Sequence, residues 1–218
     1  MSNIDVKRTA KLFIGGAFPR SESGRTYEAK DKNKNFVANV ALASRKDGRD
    51  AVVAARSAFA KWSEATAYNR AQVLYRVSEI MQGRREQFVE ELCLWSKTKK
   101  QAENEVDEAI NRMVWFAGWA DKIAMVTGSN NPVAGPFFDF SIPEPTGVVA
   151  AVASEDSALL GLVETIASIV VSGNTVIVIA SESQPLPAVS LAEVIATSDV
   201  PGGVINILTG SYKEIAPW

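Results

Sequence analysis

Apolar residues recur at helical spacing through the first half of the chain. One stripe covers residues 52–62, a second covers residues 74–92 and a third covers residues 106–124. Residues three or four positions apart share one face of a helix, so each stripe marks a face that must be buried. The pattern predicts three amphipathic helices in succession, the first of which opens near Asp47.

The second half of the chain changes to short β-branched runs that alternate with apolar segments of helix length. Two such runs joined by a helical segment are typical of neighbouring strands in a parallel sheet. The pattern therefore predicts an α/β core over about residues 147–218. Its predicted elements are a strand at 147–153, a helix at about 157–172, a strand at 174–179, a helix at about 185–197, a strand at 204–208 and a helix that begins at Tyr212.

Shorter strand signals lie outside this core. Residues 11–16 end in a glycine turn, and the runs at 27–30 and 36–42 flank the turn-forming segment 31–35, which predicts a small antiparallel element. The run at 137–142 alternates apolar and polar residues after a break in the helical pattern. We expect it to form a protruding β-arm over about residues 136–143 with one apolar face.

Composition excludes several functional classes. The 218 residues are 47% hydrophobic and 22% charged with a formal net charge of −2, which gives no footprint for nucleic acid or an anionic membrane. The apolar stretch at 158–171 is interrupted by Glu164 and Ser168, so it predicts a buried helix and not a membrane span. No signal peptide is expected, because the N-terminus lacks an apolar core.

The sequence contains no histidine and a single cysteine, Cys93. Ser–His and Cys–His nucleophile pairs are therefore excluded, the commonest metal ligand is missing, and no metal site is expected. One cysteine permits no intrachain disulfide, and we expect a cytoplasmic location. The apolar neighbours Leu92 and Leu94 predict that Cys93 is a buried structural thiol.

Six motifs occur along the chain in a specific order and spacing. They are Leu12-Phe13-Ile14-Gly15-Gly16, Ala51–Phe59 leading to Trp62, Glu105–Ile110 running into Phe116–Ala120, Glu144-Pro145-Thr146-Gly147-Val148-Val149, Gly173-Asn174-Thr175-Val176 and Pro201–Gly210. Together they resemble the N-terminal, cofactor-binding portion of the aldehyde dehydrogenase superfamily, over essentially all 218 residues. The resemblance implies a Rossmann-like, partly parallel sheet flanked by helices, an NAD(P) cofactor by family, and a single domain over 1–218 that is incomplete.

The resemblance also implies that the oxyanion-binding asparagine of the family is replaced in this chain. The family motif Pro-Trp-Asn-Phe-Pro follows the first core strand and supplies a hydrogen-bond donor through its asparagine. Aligned through Gly147, this motif becomes residues 154–158, which places Asp156 at the asparagine position. An ionised carboxylate only accepts hydrogen bonds, and the loss of one oxyanion donor costs about 2.7–4 kcal/mol. We therefore expect no catalytic residue in this chain.

A second substitution concerns the cofactor. After the next strand the family commonly reads Lys-Pro-Ala-Glu and uses the lysine and glutamate on the adenine ribose. Ile179 stands at the lysine position and Glu182 at the glutamate position. Glu182 retains the capacity to accept from ribose hydroxyls, and it also fits a carboxylate that favours the entry of the following helix. We expect no cofactor to bind tightly.

Three functions remain open from the sequence. The first is an aldehyde-dehydrogenase-like chain or fragment that is non-catalytic by itself and has an assembly or scaffolding role. The second is the N-terminal NAD(P)-binding part of an active enzyme whose cysteine lies beyond this chain. The third is a nucleotide-binding module without chemistry, which lacks the support of a GxGxxG fingerprint. The expected partner is a second copy of the chain or a fuller aldehyde-dehydrogenase-like subunit.

Overall fold

The computed structural model describes residues 9–95 and 98–215, and it shows a helical layer packed against a parallel sheet. This confirms the predicted α/β fold class. The elements in chain order are β1 (Thr9–Ala10), β2 (Thr26–Lys30), β3 (Phe36–Ala41), α1 (Arg45–Ser63), α2 (Ala67–Gly83), α3 (Arg85–Cys93), α4 (Lys99–Ala117), α5 (Ile123–Thr127), β4 (Ser129–Asn131), β5 (Asp139–Ser141), β6 (Val148–Val152), α6 (Leu160–Val170), β7 (Thr175–Ile179), α7 (Leu186–Ala196), β8 (Ile205–Leu208) and α8 (Tyr212–Ile215).

A small sheet with the order β1-β3-β2 precedes the helices. Strands β2 and β3 pair antiparallel, as predicted, while β1 pairs parallel with β3. The carboxylate of Asp31 closes the connecting turn by accepting from the backbone N–H groups of Asn33 and Asn35 at 2.8 Å each. The residues at 11–16 form isolated bridges at Phe13 and Ile14 and not the continuous strand that was predicted.

Two of the three predicted helices are divided. The apolar stripe at 74–92 is shared by α2 and α3, because Arg84 between them has φ −108° and ψ 15°, outside the helical region. The stripe at 106–124 continues past Gly118, where α4 ends. Helix α1 begins two residues earlier than predicted, with Ser44 as its N-cap and Asp47 completing a capping box.

The parallel sheet has the order β6-β7-β8, and its strands and helices lie within a few residues of their predicted bounds. Alternate residues of β7 enter different clusters: Val176 and Val178 pack among the residues of α4, α6 and α7, while Ile177 packs with Ala51 and Ala55 of α1. The sheet therefore carries α6 and α7 on one face and α1 on the other. Such two-sided burial explains why residues 176–179 of β7 are all apolar.

The N-terminal segment covers one edge of the parallel sheet. Phe13 and Ile207 exchange backbone hydrogen bonds of 3.0 and 2.8 Å, so an antiparallel bridge protects the outer edge of β8. The approach is close, because a Cβ on Gly202 would lie 2.6 Å from the carbonyl oxygen of Gly15. Among the described residues, no strand pairs with the opposite edge of the sheet, which belongs to β6.

The β-arm is a hairpin of two three-residue strands, β4 and β5. Asn131 fastens it through a side-chain hydrogen bond of 3.1 Å to Ser141 Oγ. Its base lies against α5, since a Cβ on Gly128 would meet the carbonyl oxygens of Ala124 and Ser141. All three residues of β5 are exposed to solvent.

Candidate ligand-binding edge of the parallel sheet

The strongest candidate site lies at the carboxyl ends of β6 and β7. Parallel α/β sheets bind their ligands in the crevice outside the carboxyl ends of the strands. Here the β6–α6 loop covers residues 153–159 and the β7–α7 turn covers residues 180–185. Of the three residues predicted to matter, Asp156 and Glu182 lie on these two connections, and Ile179 is the strand residue just before the second.

Ile179 is the last residue of β7 and its side chain is almost completely buried. It lines an apolar cleft of about 550 Å³ between the sheet, α1 and α8, together with Val152 of β6 and Leu208 of β8. The side chain offers neither a charge nor a hydrogen-bond donor to a ligand. The structure therefore places a packing residue at the position where the resemblance implies a lysine.

Glu155 binds the β7–α7 turn across the end of the sheet. Its carboxylate accepts from Ser181 Oγ at 2.6 Å, from the backbone N–H of Glu182 at 2.8 Å and from Ser183 Oγ at 2.8 Å. The backbone N–H of Ser183 adds a fourth, longer contact of 3.4 Å. Gln184 Nε2 also donates to the carbonyl oxygen of Glu155 at 3.3 Å. The β7–α7 turn is thus held by hydrogen bonds to Glu155 of the β6–α6 loop.

The electrostatics of this contact favour the ionised form of Glu155. Partial burial raises the pKa of its carboxyl group, but the hydrogen bonds from Ser181, Glu182 and Ser183 outweigh burial and hold the pKa below its usual range. Glu155 is therefore a carboxylate at neutral pH. It contributes a full negative charge to the mouth of the turn.

The negative charge at this turn also acts on Tyr27 of β2. Its buried hydroxyl oxygen has no hydrogen-bond partner among the described residues. Burial raises the pKa of this phenol, and the charges of Glu182 and Glu155 raise it further. Two carboxylates therefore act on one small region beside the β7–α7 turn.

A different carboxylate closes the β6–α6 connection. Glu105 of α4 accepts from the backbone N–H groups of Leu159 and Leu160 at 3.1 and 3.4 Å, and from Ser157 Oγ at 3.2 Å. The N-cap residue of α6, Leu159, provides no side-chain cap of its own. Glu105 therefore caps α6 from a neighbouring helix, at the helix end where an anionic ligand would otherwise be favoured.

Asp156 is exposed in the β6–α6 loop, and its backbone N–H donates to Ser154 Oγ at 3.2 Å. Cys93, the last residue of α3, packs against the helical core. It is only partly buried, whereas the sequence predicted a buried thiol. Over residues 9–95 and 98–215, no group of three or more acidic or cysteine side chains could hold a metal ion. No described helix is both long enough and apolar enough to cross a bilayer.

These residues do not fit an NAD(P) molecule at this edge. The donors of the β7–α7 turn already serve Glu155, position 179 supplies no cation, and the end of α6 is capped by Glu105. Glu155 and Glu105 were missed by the sequence reasoning. Their contacts join residues 27 and 54 positions apart, so the motifs that contain Glu155 and Glu105 do not reveal these contacts.

The fold defines an α/β domain with a parallel sheet, flanking helices and a protruding hairpin. The sequence profile of the aldehyde dehydrogenase family matches residues 18–217. The chain belongs to this family. The match confirms the relationship inferred from the motifs, including the fit to the N-terminal, cofactor-binding portion.

Known relatives extend over nearly the whole chain. Cytosolic 10-formyltetrahydrofolate dehydrogenase of Xenopus tropicalis is 32% identical over 99% of this chain and 24% of its own length. The putative aldehyde dehydrogenase DhaS of Bacillus subtilis is 30% identical over 96% of this chain and 43% of its own length. The NAD⁺ complex of an aldehyde dehydrogenase from Bacillus cereus has a TM-score of 0.90 and 26% identity, covering 98% of this chain and 45% of that protein. The chain therefore spans less than half the length of these relatives.

Proposed function

We propose that this chain is a non-catalytic aldehyde dehydrogenase relative that acts in assembly or scaffolding. It associates through its β-arm with a second copy or with a fuller aldehyde-dehydrogenase-like subunit. The chain alone does not oxidise aldehydes, and its binding of NAD(P) is weak or undetectable. A cytoplasmic location completes it, supported by the single cysteine and by relatives named cytosolic.

The observation that carries the proposal is the exposed apolar surface of the arm. Phe137, Phe138, Phe140 and Ile142 are 74%, 77%, 55% and 64% exposed. Met125 and Val126 of the neighbouring α5 are 76% and 60% exposed, and we call these six residues the arm surface. Contiguous apolar patches of more than a few hundred Å² are unusual on monomeric proteins and mark interaction sites.

The open edge of β6 supports the same conclusion. The segment at Phe13 covers β8, whereas no described strand covers the other side of the sheet at β6. Val152 at the end of β6 is 52% exposed. An unpaired apolar strand edge is a template for pairing with another chain, so it supports association alongside the arm.

The substitutions at the sheet edge support the absence of chemistry. Position 156 carries a carboxylate where the oxyanion needs a donor, and Ile179 packs into the cleft. Cys93 ends α3 and packs against the apolar helical core, far in the chain from both connections at the sheet edge. Packing residues specify the fold independently of a catalytic site, so the family's fold persists without them.

The test of the assembly role is a mass measurement by light scattering on the full chain at micromolar concentration. The wild type should form a dimer or larger assembly, and Phe138→Asp should shift it to the monomer mass. Tyr68→Asp is the matched control, because Tyr68 is 72% exposed on α2 and outside the arm surface. A stable wild-type monomer, unchanged by Phe138→Asp, would contradict the assembly role.

A second candidate is the N-terminal NAD(P)-binding part of an active aldehyde dehydrogenase. It is favoured by the similarity to the Bacillus cereus enzyme, which binds NAD⁺, and by the partial coverage of every relative named above. This candidate requires the chain to bind the cofactor at its sheet edge. A micromolar or tighter NAD(P) dissociation constant in a calorimetric titration would favour it over the first proposal.

A further inference from the structure

We propose that Glu155 is an intramolecular ligand that holds the β7–α7 turn closed and thereby excludes a dinucleotide from this edge of the sheet. The inference deepens the proposed function and rests on its statement that NAD(P) binds weakly. It assigns that weakness to one residue that was not singled out by the sequence. The replacement of a lysine by Ile179 then does not by itself account for the weak binding of NAD(P).

The Glu155 carboxylate occupies several hydrogen-bond donors of the turn at once. Two hydroxyl groups and two backbone N–H groups of residues 181–183 converge on Glu155. Outward-facing backbone N–H groups in a turn are the usual partners of anionic and hydroxyl oxygens of a ligand. With Glu155 in place, an incoming nucleotide finds none of these donors unengaged.

Two acidic residues lie side by side at this turn. Glu155 accepts from the backbone N–H of Glu182 at 2.8 Å, and the charges of both residues raise the pKa of the buried Tyr27 hydroxyl. A dinucleotide carries a negatively charged pyrophosphate, and like charges at short range repel. No cation at position 179 offsets them, because Ile179 is apolar and buried.

An external nucleotide must compete with Glu155 for the donors of the turn. A carboxylate on the same chain is present at a high effective concentration, on the order of millimolar or above for a short tether. An external ligand must displace it before using the turn. Removal of the Glu155 side chain should therefore raise nucleotide affinity, and introduction of a lysine at 179 should not suffice while Glu155 remains.

The test is a calorimetric titration of the full chain with NAD⁺ and, separately, with AMP. We expect no saturation by about 1 mM ligand for the wild type and for Ile179→Lys, because Glu155 occupies the donors of the turn in both. Glu155→Ala should bind at least about tenfold more tightly than the wild type, and Glu155→Ala/Ile179→Lys more tightly still. Glu79→Gln, which alters an exposed carboxylate of α2, is the matched control and should not change binding.

A readout of position accompanies the titration. In amide NMR spectra of Glu155→Ala, the signals of Glu182 and Ser183 should shift on addition of AMP, because their N–H groups become available. Saturable NAD⁺ binding by the wild type, or equal affinities with and without Glu155, would overturn the inference. Neither result bears on the mass measured by light scattering, so failure of this inference is distinguishable from failure of the assembly role.

Discussion

Replacement of Glu105 by alanine should destabilise the fold more than the same replacement of an exposed glutamate. Glu105 is 8% exposed on α4, and it accepts from two backbone N–H groups at the start of α6. The substitution removes the only side-chain cap that the structure shows for these two groups. The affected N–H of Leu159 lies in the buried contact between α4 and α6.

The magnitude follows from these two contacts. Loss of an N-cap side chain costs about 1 kcal/mol. A buried N–H left without an acceptor costs about 1–3 kcal/mol more, so the free energy of unfolding should fall by roughly 2–4 kcal/mol. For a protein of this length, 1 kcal/mol corresponds to about 2–4 °C in Tm, which gives a decrease of about 4–16 °C.

Urea and thermal unfolding followed by circular dichroism measure the effect, with an unchanged m-value as the check on two-state behaviour. Glu105→Gln keeps an acceptor oxygen and should recover more than half of the loss. Glu108→Ala is the control, because Glu108 is an exposed residue of the same helix that pairs with Arg112, and it should cost less than about 0.5 kcal/mol. If Glu105→Ala matched Glu108→Ala, the capping argument would be refuted.

Three further predictions concern chemistry, acid stability and backbone strain. Purified chain with NAD(P)⁺ and a range of aldehydes should give no heat-sensitive rise in NAD(P)H absorbance, and Asp156→Asn with Ile179→Lys should not restore it for want of a thiolate; a rise would contradict this. Burial raises the pKa of Asp47 but the hydrogen bonds from Glu22, Ser44 and Ser21 lower it overall, so its stabilisation is complete above its ordinary pKa of 3.8 and is lost as pH falls through the native value. Asp47→Asn should flatten that acid limb in urea unfolding, and an unchanged pH profile would argue against it. Gly203 has φ +92°, and a Cβ there would lie 2.5 Å from the carbonyl oxygen of Ala54, so Gly203→Ala should cost about 2–3 kcal/mol, whereas Gly83→Ala, with open space, should change stability by less than about 1 kcal/mol; equal effects would refute the strain argument.

The parallel sheet was the most predictable part of the fold. Its strands are β-branched runs bounded by glycine turns, and Gly147, Gly173 and Gly203 indeed adopt positive φ at their entries. The helical layer was less predictable, because the apolar residues on both sides of Arg84 keep helical spacing while the backbone changes direction there. Periodicity records which residues are buried and not whether the helix is continuous.

The site was predictable only in part, for a similar reason. Alignment with the family motifs located Ile179 and Glu182, and the structure places both at the sheet edge. Glu155 stood within the aligned motif without an assigned role, since its partners lie on a different connection. Side-chain hydrogen bonds across the end of a sheet depend on strand register, which a single sequence does not reveal.

The bridge between Phe13 and Ile207 bears on how the chain folds during synthesis. Gly15 N–H donates to Asn206 Oδ1 at 2.9 Å, a contact between residues 191 positions apart. The amide of Asn206 also donates to the carbonyl oxygens of Val176 and Gly203 at 3.2 and 2.8 Å. The segment at Gly15 is therefore synthesised 191 residues before its partner Asn206, and it stays unpaired until that partner is available. Closure of so long a loop is slow, because its entropy is lost before any contact compensates. Until then Phe13 remains accessible to chaperones, and the outer edge of β8 is sealed only once residues 205–208 have formed their strand.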